Sequence, residues 1–131
     1  MTRLGLSLLA LAASVPAAAV GLGPLSRSGI TDGPAKAFYL TVMNPYAGPV
    51  GFRAYAIGPD DEGPQSRVQV FPDRVRLAGG SQRRILVVAK HLARGETYAF
   101  RVCAEREQQA GGMINARVCS KLSARRLHPA A

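Results

Sequence analysis

Several residue types on which enzymes depend are scarce in this sequence. Its 131 residues include no tryptophan, two histidines and two cysteines. His91 and His128 are far apart, and no HExxH, GxSxG or CxxC motif is present. Because these residues do not assemble into a nucleophile, a base or a metal-binding cluster, we expect a protein that is not an enzyme and has no cofactor and no metal.

Long hydrophobic runs are also missing beyond the N-terminus, where none reaches the roughly 18 apolar residues that a membrane span requires. The N-terminus has a basic residue at Arg3, an apolar run over residues 4–13, and small residues at 17–19 after Pro16. This order predicts a secretory signal peptide over residues 1–19, the alternative being a buried N-terminal helix. We therefore expect a periplasmic or secreted protein with no stable membrane span in the mature chain.

Acidic residues are few, with 8 Asp and Glu against 17 Lys and Arg, so the formal net charge is +9. The basic residues at 83–84 and 121–126 could contact anionic lipid or polysaccharide. Export, and the lack of aromatic residues interleaved with basic ones, argue against nucleic acid as a partner. The alternative is a charged outer face that keeps strand edges from pairing.

The rest of the chain consists of short alternating segments separated by Gly and Pro. Residues 37–43, for example, place Phe38, Leu40 and Val42 on one face of a strand. Seven such segments cover residues 22–30, 37–43, 50–57, 67–71, 82–90, 96–104 and 113–122. This pattern predicts an all-β, immunoglobulin-like, seven-stranded antiparallel β-sandwich over residues 20–122, followed by a basic, poorly ordered tail over 123–131.

The two cysteines test this layout. If Cys103 and Cys119 lie opposite each other in a hairpin, the turn centres on Gly111, within an Ala-Gly-Gly sequence suited to a tight reversal. The same register places Glu105 opposite Arg117 and predicts a cross-strand disulfide on the outer face of the sheet. Two free thiols or an intermolecular disulfide are the alternatives.

Three segments resemble the N-terminal domain of periplasmic pilus (fimbrial) chaperones. Residues 38–45 (FYLTVMNP) look like the second strand and turn of that domain, and residues 96–102 (ETYAFRV) look like its sixth strand. Residues 70–82 (VFPDRVRLAGGSQ) are similar to its pattern of Pro, Leu, a Gly-containing turn and a hydrophobic strand. The resemblance covers roughly residues 37–104.

The resemblance implies a chaperone-like role in holding secreted or fimbrial subunits. Such chaperones offer alternating apolar side chains from their last N-domain strand to a subunit that lacks a strand. The matching residues here are Ile114, Ala116, Val118 and Leu122. The family also anchors the subunit's terminal carboxylate with a basic pair, for which Arg27 and Lys121 are the matches.

The partner we expect is therefore a protein, a secreted or fimbrial subunit bound through an edge strand. The second domain of those chaperones has no counterpart in these residues, so a stand-alone relative of the first domain fits best. The alternative function is a structural or adhesive envelope module, whose basic surface contacts anionic envelope components.

Overall fold

The computed structural model describes residues 20–107 and 116–128, and within these residues it contains nine strands and no helix. The strands are β1 (Gly21–Gly23), β2 (Ser26–Thr31), β3 (Lys36–Met43), β4 (Val50–Ile57), β5 (Val68–Phe71), β6 (Arg74–Leu77), β7 (Gln82–Ala89), β8 (Thr97–Arg106) and β9 (Arg117–Arg126).

The strands form two sheets that pack face to face. One has four strands in the order β1-β3-β7-β5, and the other has five in the order β2-β9-β8-β4-β6. Every pairing is antiparallel except that of β2 with β9, which is parallel. The predicted all-β sandwich is confirmed, and the strongly apolar strand β7 lies inside its sheet.

The strand count is nine rather than seven for two reasons. The predicted first strand, residues 22–30, divides into β1 and β2, which belong to different sheets. Pro24 lies between them and has no N–H with which to continue a ladder. In addition, residues 74–77 form β6 in the sheet opposite β5, because Val75 and Leu77 alternate inward and are 7% and 6% exposed.

The core lies between the sheets and is built from alternate residues of each strand. The four-stranded sheet contributes Phe38, Leu40 and Ile85, all at most 3% exposed. The five-stranded sheet contributes Phe52 and Phe100, each 1% exposed. The rings of Phe38 and Phe100 meet edge to face with centroids 6.2 Å apart, which joins the two layers at their centre.

The last strand continues beyond the predicted domain boundary at residue 122. β9 ends at Arg126, because β2 pairs with residues 121–126 and gives their backbone groups partners. Ala124 is fully buried, and the Leu127 N–H donates to the Thr31 carbonyl. Residues 123–126 are therefore part of the sandwich rather than of a tail.

Three predictions concern segments outside the described residues. These are the signal peptide over residues 1–19, the turn centred on Gly111, and the end of the predicted tail at 129–131.

The cysteines form the predicted cross-strand disulfide. Cys103 and Cys119 lie directly opposite each other on β8 and β9, on the face of the sheet away from the core. Glu105 lies opposite Arg117 as predicted, but its carboxylate pairs with Arg53 at 2.9 Å. Cys103 is fully buried even on this outer face, where Tyr55 of β4 is its neighbour on the other side.

Candidate functional site: an open strand edge

Strand β9 is covered by β2 along only half of its length. β2 pairs with β9 from Lys121 to Arg126. From Arg117 to Ser120, β9 pairs with β8 on one side and has no strand on the other among residues 20–107 and 116–128. We call residues 117–120 the open edge. An open strand edge is a template on which another chain can add a strand.

The backbone at the open edge has a defined orientation. The Lys121 N–H points away from β8, because it donates to the Leu25 carbonyl at 2.9 Å. Since alternate residues of a strand direct their backbone groups to the same side, Cys119 and Arg117 also direct their N–H and C=O groups away from β8. The open edge therefore offers the N–H and C=O groups of two residues, Arg117 and Cys119, to an incoming strand.

The side chains predicted to contact a partner divide into three groups. Ala116 and Val118 are half-buried and pack against the core; Ala116 directly precedes the open edge and Val118 lies within it. Leu122 is 2% exposed, belongs to the core and lies where β2 covers β9, so it is not available to a partner. Ile114 lies outside the described residues.

Ser120 ends the open edge. Its side chain is fully buried at a position where the alternation calls for an apolar residue, and its hydroxyl donates to the Pro24 carbonyl at 2.6 Å. This bond fixes the chain where it passes from β1 to β2. The sequence signal for this contact is that Ser120 interrupts the apolar alternation of β9, although the sequence alone does not identify Pro24 as its partner.

A loop clasps the outer face of the sheet beside the open edge. The Arg117 guanidinium donates to both carboxylate oxygens of Glu62 at 2.8 and 2.9 Å, and to the Tyr55 hydroxyl at 3.3 Å. The hydrogen bonds from Arg117 lower the pKa of Glu62, and the bond to Glu62 raises the pKa of Arg117. The loop that follows β4 is thereby tied to the first residue of β9.

Arg101 holds the same loop from β8. Its guanidinium donates to the carbonyl oxygens of Gly58 and Asp61, each at 2.9 Å. Arg101 lies directly opposite Lys121, an unfavourable pair of like charges. The two carbonyl oxygens offset that repulsion by solvating the guanidinium.

The predicted basic pair borders one depression beside the loop. Arg27 and Lys121 both line a cavity of about 270 Å³, together with Arg101, Asp60 and the strand residues around them. Lys121 is opposite Ser26 in the ladder, whereas Arg27 is opposite Leu122. Because neighbouring positions alternate, the Arg27 and Lys121 side chains leave their strands on opposite faces of the sheet.

Basic residues are concentrated on the outer face of the five-stranded sheet. By strand alternation the strands of this face, which we call the basic face, carry seven cationic side chains and one acidic one, Glu105; Glu62, against Arg117, and Glu107, beside Gly51, add two carboxylates from outside the strands. The seven are Arg53, Arg74, Arg76, Arg101, Arg117, Lys121 and Arg125. Of the cations predicted to contact anionic partners, Lys121 and Arg125 lie on this face, whereas Arg83 and Arg84 lie on β7 of the other sheet.

The described residues hold no group of three or more His, Cys, Asp or Glu side chains placed to bind a metal ion. Nor does this part of the chain contain a helix long and apolar enough to cross a bilayer.

Two packed sheets, with the first strand divided between them and a parallel β2–β9 pair, define an immunoglobulin-like β-sandwich. Solved structures share this fold. The chaperone DraB of E. coli superimposes with a TM-score of 0.66 at 19% identity, over 82% of this chain and 55% of DraB. The complex of Salmonella enterica SafA pilin with the SafB chaperone matches with a TM-score of 0.67 at 19% identity, over 82% of this chain and 54% of the matched chain.

A human domain has the same fold. The PapD-like domain 7 of human CEP192 matches over 98% of this chain and all of that domain, with a TM-score of 0.65 at 15% identity. No protein-family model matches the sequence, and no curated protein matches it.

These similarities confirm the fold that the sequence resemblance implied. The chain spans about half the length of the pilus chaperones it matches.

Proposed function

We propose that this protein is an exported, non-enzymatic binding domain that captures a protein segment along the open edge of β9. Its client is a secreted or fimbrial subunit, which it assists as a chaperone does, in the periplasm or outside the cell. The outer backbone groups of Arg117 and Cys119, which no strand pairs within residues 20–107 and 116–128, are the observation that carries this proposal. The fold shared with the periplasmic chaperone SfaE and with a pilin-bound chaperone supports it.

An incoming strand would take the place in the sheet that β2 leaves empty. Its backbone would pair with the outward N–H and C=O groups of residues 117 and 119, which supplies affinity without regard to sequence. Its side chains on the inner face would meet Ala116 and Val118, which are half-buried and apolar. Specificity would come from how the client's alternate side chains fit beside these two.

In-cell photo-crosslinking from position 116 of the exported protein, followed by mass spectrometry, tests the proposal. We expect adducts with one or a few secreted subunits. Position 30 is the matched control, because Ile30 is 61% exposed but lies on β2, away from the open edge. Equal adducts from both positions, or none from position 116 in a folded and oxidised protein, would contradict edge capture.

Two substitutions at Arg117 separate the contribution of its backbone N–H to client capture from that of its side chain. Arg117→Pro removes an outward N–H without removing a ladder bond to β8, because that N–H points to the open side. Arg117→Ala keeps the N–H but loses the same contacts to Glu62 and Tyr55. We expect the proline variant to lose most of the adduct and the alanine variant to keep it.

The basic pair is proposed to anchor an anionic group of the client, such as its terminal carboxylate, with Lys121 as the direct contact, because the Arg27 side chain leaves its strand on the other face of the sheet. Arg27 and Lys121 border the same depression, and neither has an ion pair among the described acidic residues. Lys121→Ala should therefore weaken capture of the client, whereas Arg125→Ala, four residues further along β9 on the same face, should not. An equal effect of both substitutions would count against a localised anchor.

A second candidate function is favoured by the basic face. Seven cations against three acids on one sheet surface, Glu62, Glu105 and Glu107, would attract an anionic envelope component. Arg74 and Arg76 on the edge strand β6 have no ion pair among the described residues and are exposed. This candidate is a structural or adhesive module rather than a chaperone.

Co-sedimentation with phosphatidylglycerol vesicles tests the second candidate, with neutral phosphatidylcholine vesicles as the reference. Binding should fall steeply between low and high salt, because exposed charges are screened within about 10 Å at 0.1 M salt. Arg74→Glu with Arg76→Glu should abolish it, whereas Arg83→Glu with Arg94→Glu makes the same charge change elsewhere. Equal binding of both double variants would refute a role for this face.

A further inference from the structure

The outer face of the four-stranded sheet is largely apolar, although it lies on the surface. Strand alternation directs ten residues of β3, β5 and β7 away from the core, and we call them the apolar face. They are Ala37, Tyr39, Thr41, Met43, Gln69, Phe71, Gln82, Arg84, Leu86 and Val88. Six of the ten are apolar or aromatic and only one is charged, whereas the outer face of such a sheet is ordinarily polar.

The centre of this face is a row across three strands. In the ladder, Leu86 of β7 lies opposite both Tyr39 of β3 and Phe71 of β5. Tyr39 is 54% exposed and Phe71 is 68% exposed, so two aromatic rings stand in solvent on either side of Leu86. Met43 adds a third large side chain, 47% exposed, further along β3. A contiguous exposed patch of this kind marks an interaction surface.

We propose that the apolar face is a self-association surface, which pairs with the same face of a second copy of this chain. Charge favours this partner. The apolar face has one cation and no anion, although the protein has a net charge of +9, so its partner must also present a nearly uncharged surface. A second copy presents such a surface, and pairing through it directs both highly charged basic faces outward.

An anionic bilayer fits this distribution poorly. Membrane-surface proteins place cations on the same side as their apolar contact. Here seven cations of the strands lie on the opposite face, and the apolar face has only Arg84. The two attractions could not act on one membrane together.

A two-fold symmetric dimer keeps the Arg84 charges of the two copies apart. A two-fold axis along the Tyr39–Leu86–Phe71 row would set each residue of the row against its own copy and place Arg84 over Val88 of the second copy. The two Arg84 guanidinium groups would then be on opposite sides of the axis. Arg84 already covers one side of the Tyr39 ring at 5.2 Å, so its charge lies against an aromatic face.

The size of the face sets the strength of the interaction. Four strands about 4.8 Å apart and up to eight residues long, of which the outer two are shorter, give about 400–500 Å² per copy. The total of about 800–1,000 Å² belongs to the class of small, transient interfaces, so we expect a dissociation constant on the order of 10–100 μM.

Sedimentation of the mature, oxidised protein from about 10 μM to about 1 mM tests the proposal, since this range spans the expected constant. We expect a reversible monomer–dimer equilibrium. Phe71→Lys should weaken it on the order of tenfold or more, because it charges a residue at the centre of the interface. Ile30→Lys makes the same change at an equally exposed residue on the other sheet and should leave the equilibrium unchanged.

A second measurement locates the contact. With Cys103 and Cys119 oxidised, a Phe71→Cys variant should form an intermolecular disulfide far faster than Ile30→Cys. A monomer throughout the concentration range, or a dimer that Phe71→Lys leaves intact, would overturn the proposal. So would a monomer that floats with phosphatidylglycerol vesicles in a Phe71-dependent way, since lipid would then be the occupant. Neither outcome bears on capture at the open edge, which is on the other sheet.

Discussion

Removing the Cys103–Cys119 disulfide should destabilise the domain by about 3 kcal/mol on the chain-entropy model, because the bond closes a loop with a sequence separation of 16. That loss is large against the about 5–15 kcal/mol typical of a whole domain. The perturbation is the double substitution Cys103→Ala with Cys119→Ala. Cys103 is fully buried, so the variant also loses the packing of one sulfur atom.

Urea unfolding measures the effect. For a slope of about 1–1.5 kcal/mol per molar, the midpoint should fall by about 2–3 M. Wild-type protein under reducing conditions is the control for packing, because it keeps both sulfur atoms and loses only the bond. Agreement of the reduced protein with the double variant would assign the loss to the cross-link.

Loop length provides the check on the entropy reasoning. Insertions within residues 108–115 that double the loop should enlarge the effect of the disulfide by about 0.6 kcal/mol, since longer loops gain more from closure. A difference below about 1 kcal/mol between oxidised and reduced protein would refute the reasoning, because the unfolded chain would then already hold the two strands together.

Three further predictions concern buried or paired polar groups. Asn44→Ala should cost about 2–4 kcal/mol in urea unfolding, because the 2% exposed Asn44 amide donates to the carbonyl oxygens of Gly48, Leu77 and Ala78 and accepts from the Tyr46 N–H. Ser120→Ala should cost about 1–2 kcal/mol, because the Pro24 carbonyl loses its donor. The third concerns pH. Hydrogen bonds from Arg67 and then from the Ala93 N–H lower the pKa of Glu96 from 4.5 to about 2. A carboxylate with a lowered folded-state pKa stabilises the fold above its unfolded pKa, so about 1 kcal/mol should be lost as the pH falls from 4.5 towards 2.

Each of these has a matched control. Ser123→Ala removes a half-buried hydroxyl from the same strand and should be nearly neutral beside Ser120→Ala. Gln82→Ala is the control for Asn44→Ala: it removes an exposed polar side chain on β7 and should leave the free energy of unfolding nearly unchanged. Glu96→Gln should remove the loss of stability attributed to this carboxylate between pH 4.5 and 2, and an unaltered acid slope in that variant would mean that other carboxylates cause it.

The sequence predicted the parts of the fold that depend on local alternation. Residues 37–43, 50–57 and 82–90 each carry several apolar side chains with a period of two, and each forms a strand within a residue of the predicted bounds. The hairpin register was also accessible, because a disulfide between the two cysteines fixes which residues lie opposite each other.

The remainder depends on contacts between distant segments, which alternation does not specify. Residues 26–30 belong to the predicted strand 22–30, but their little apolar character gave no sign that they leave the first sheet and pair with β9. The same pairing turns the expected tail into residues 123–126 of β9, and it removes Leu122 from the predicted binding edge. That residues on β9 bind a partner stays a prediction, and the structure removes only Leu122 from the predicted set, because β2 covers β9 from residue 121.

The passage of the first strand from one sheet to the other sets a geometric limit on what the domain can hold. β9 is uncovered by β2 over four residues, 117–120, and three residues of the first strand, Gly21–Gly23, pair with β3 before Pro24. Moving that crossing point by two residues would lengthen or shorten the open edge by one outward N–H and one outward C=O group, while the core stayed as it is. The length of the open edge could therefore vary between related domains through changes in the N-terminal segment alone, without changes to the core residues that stabilise the fold.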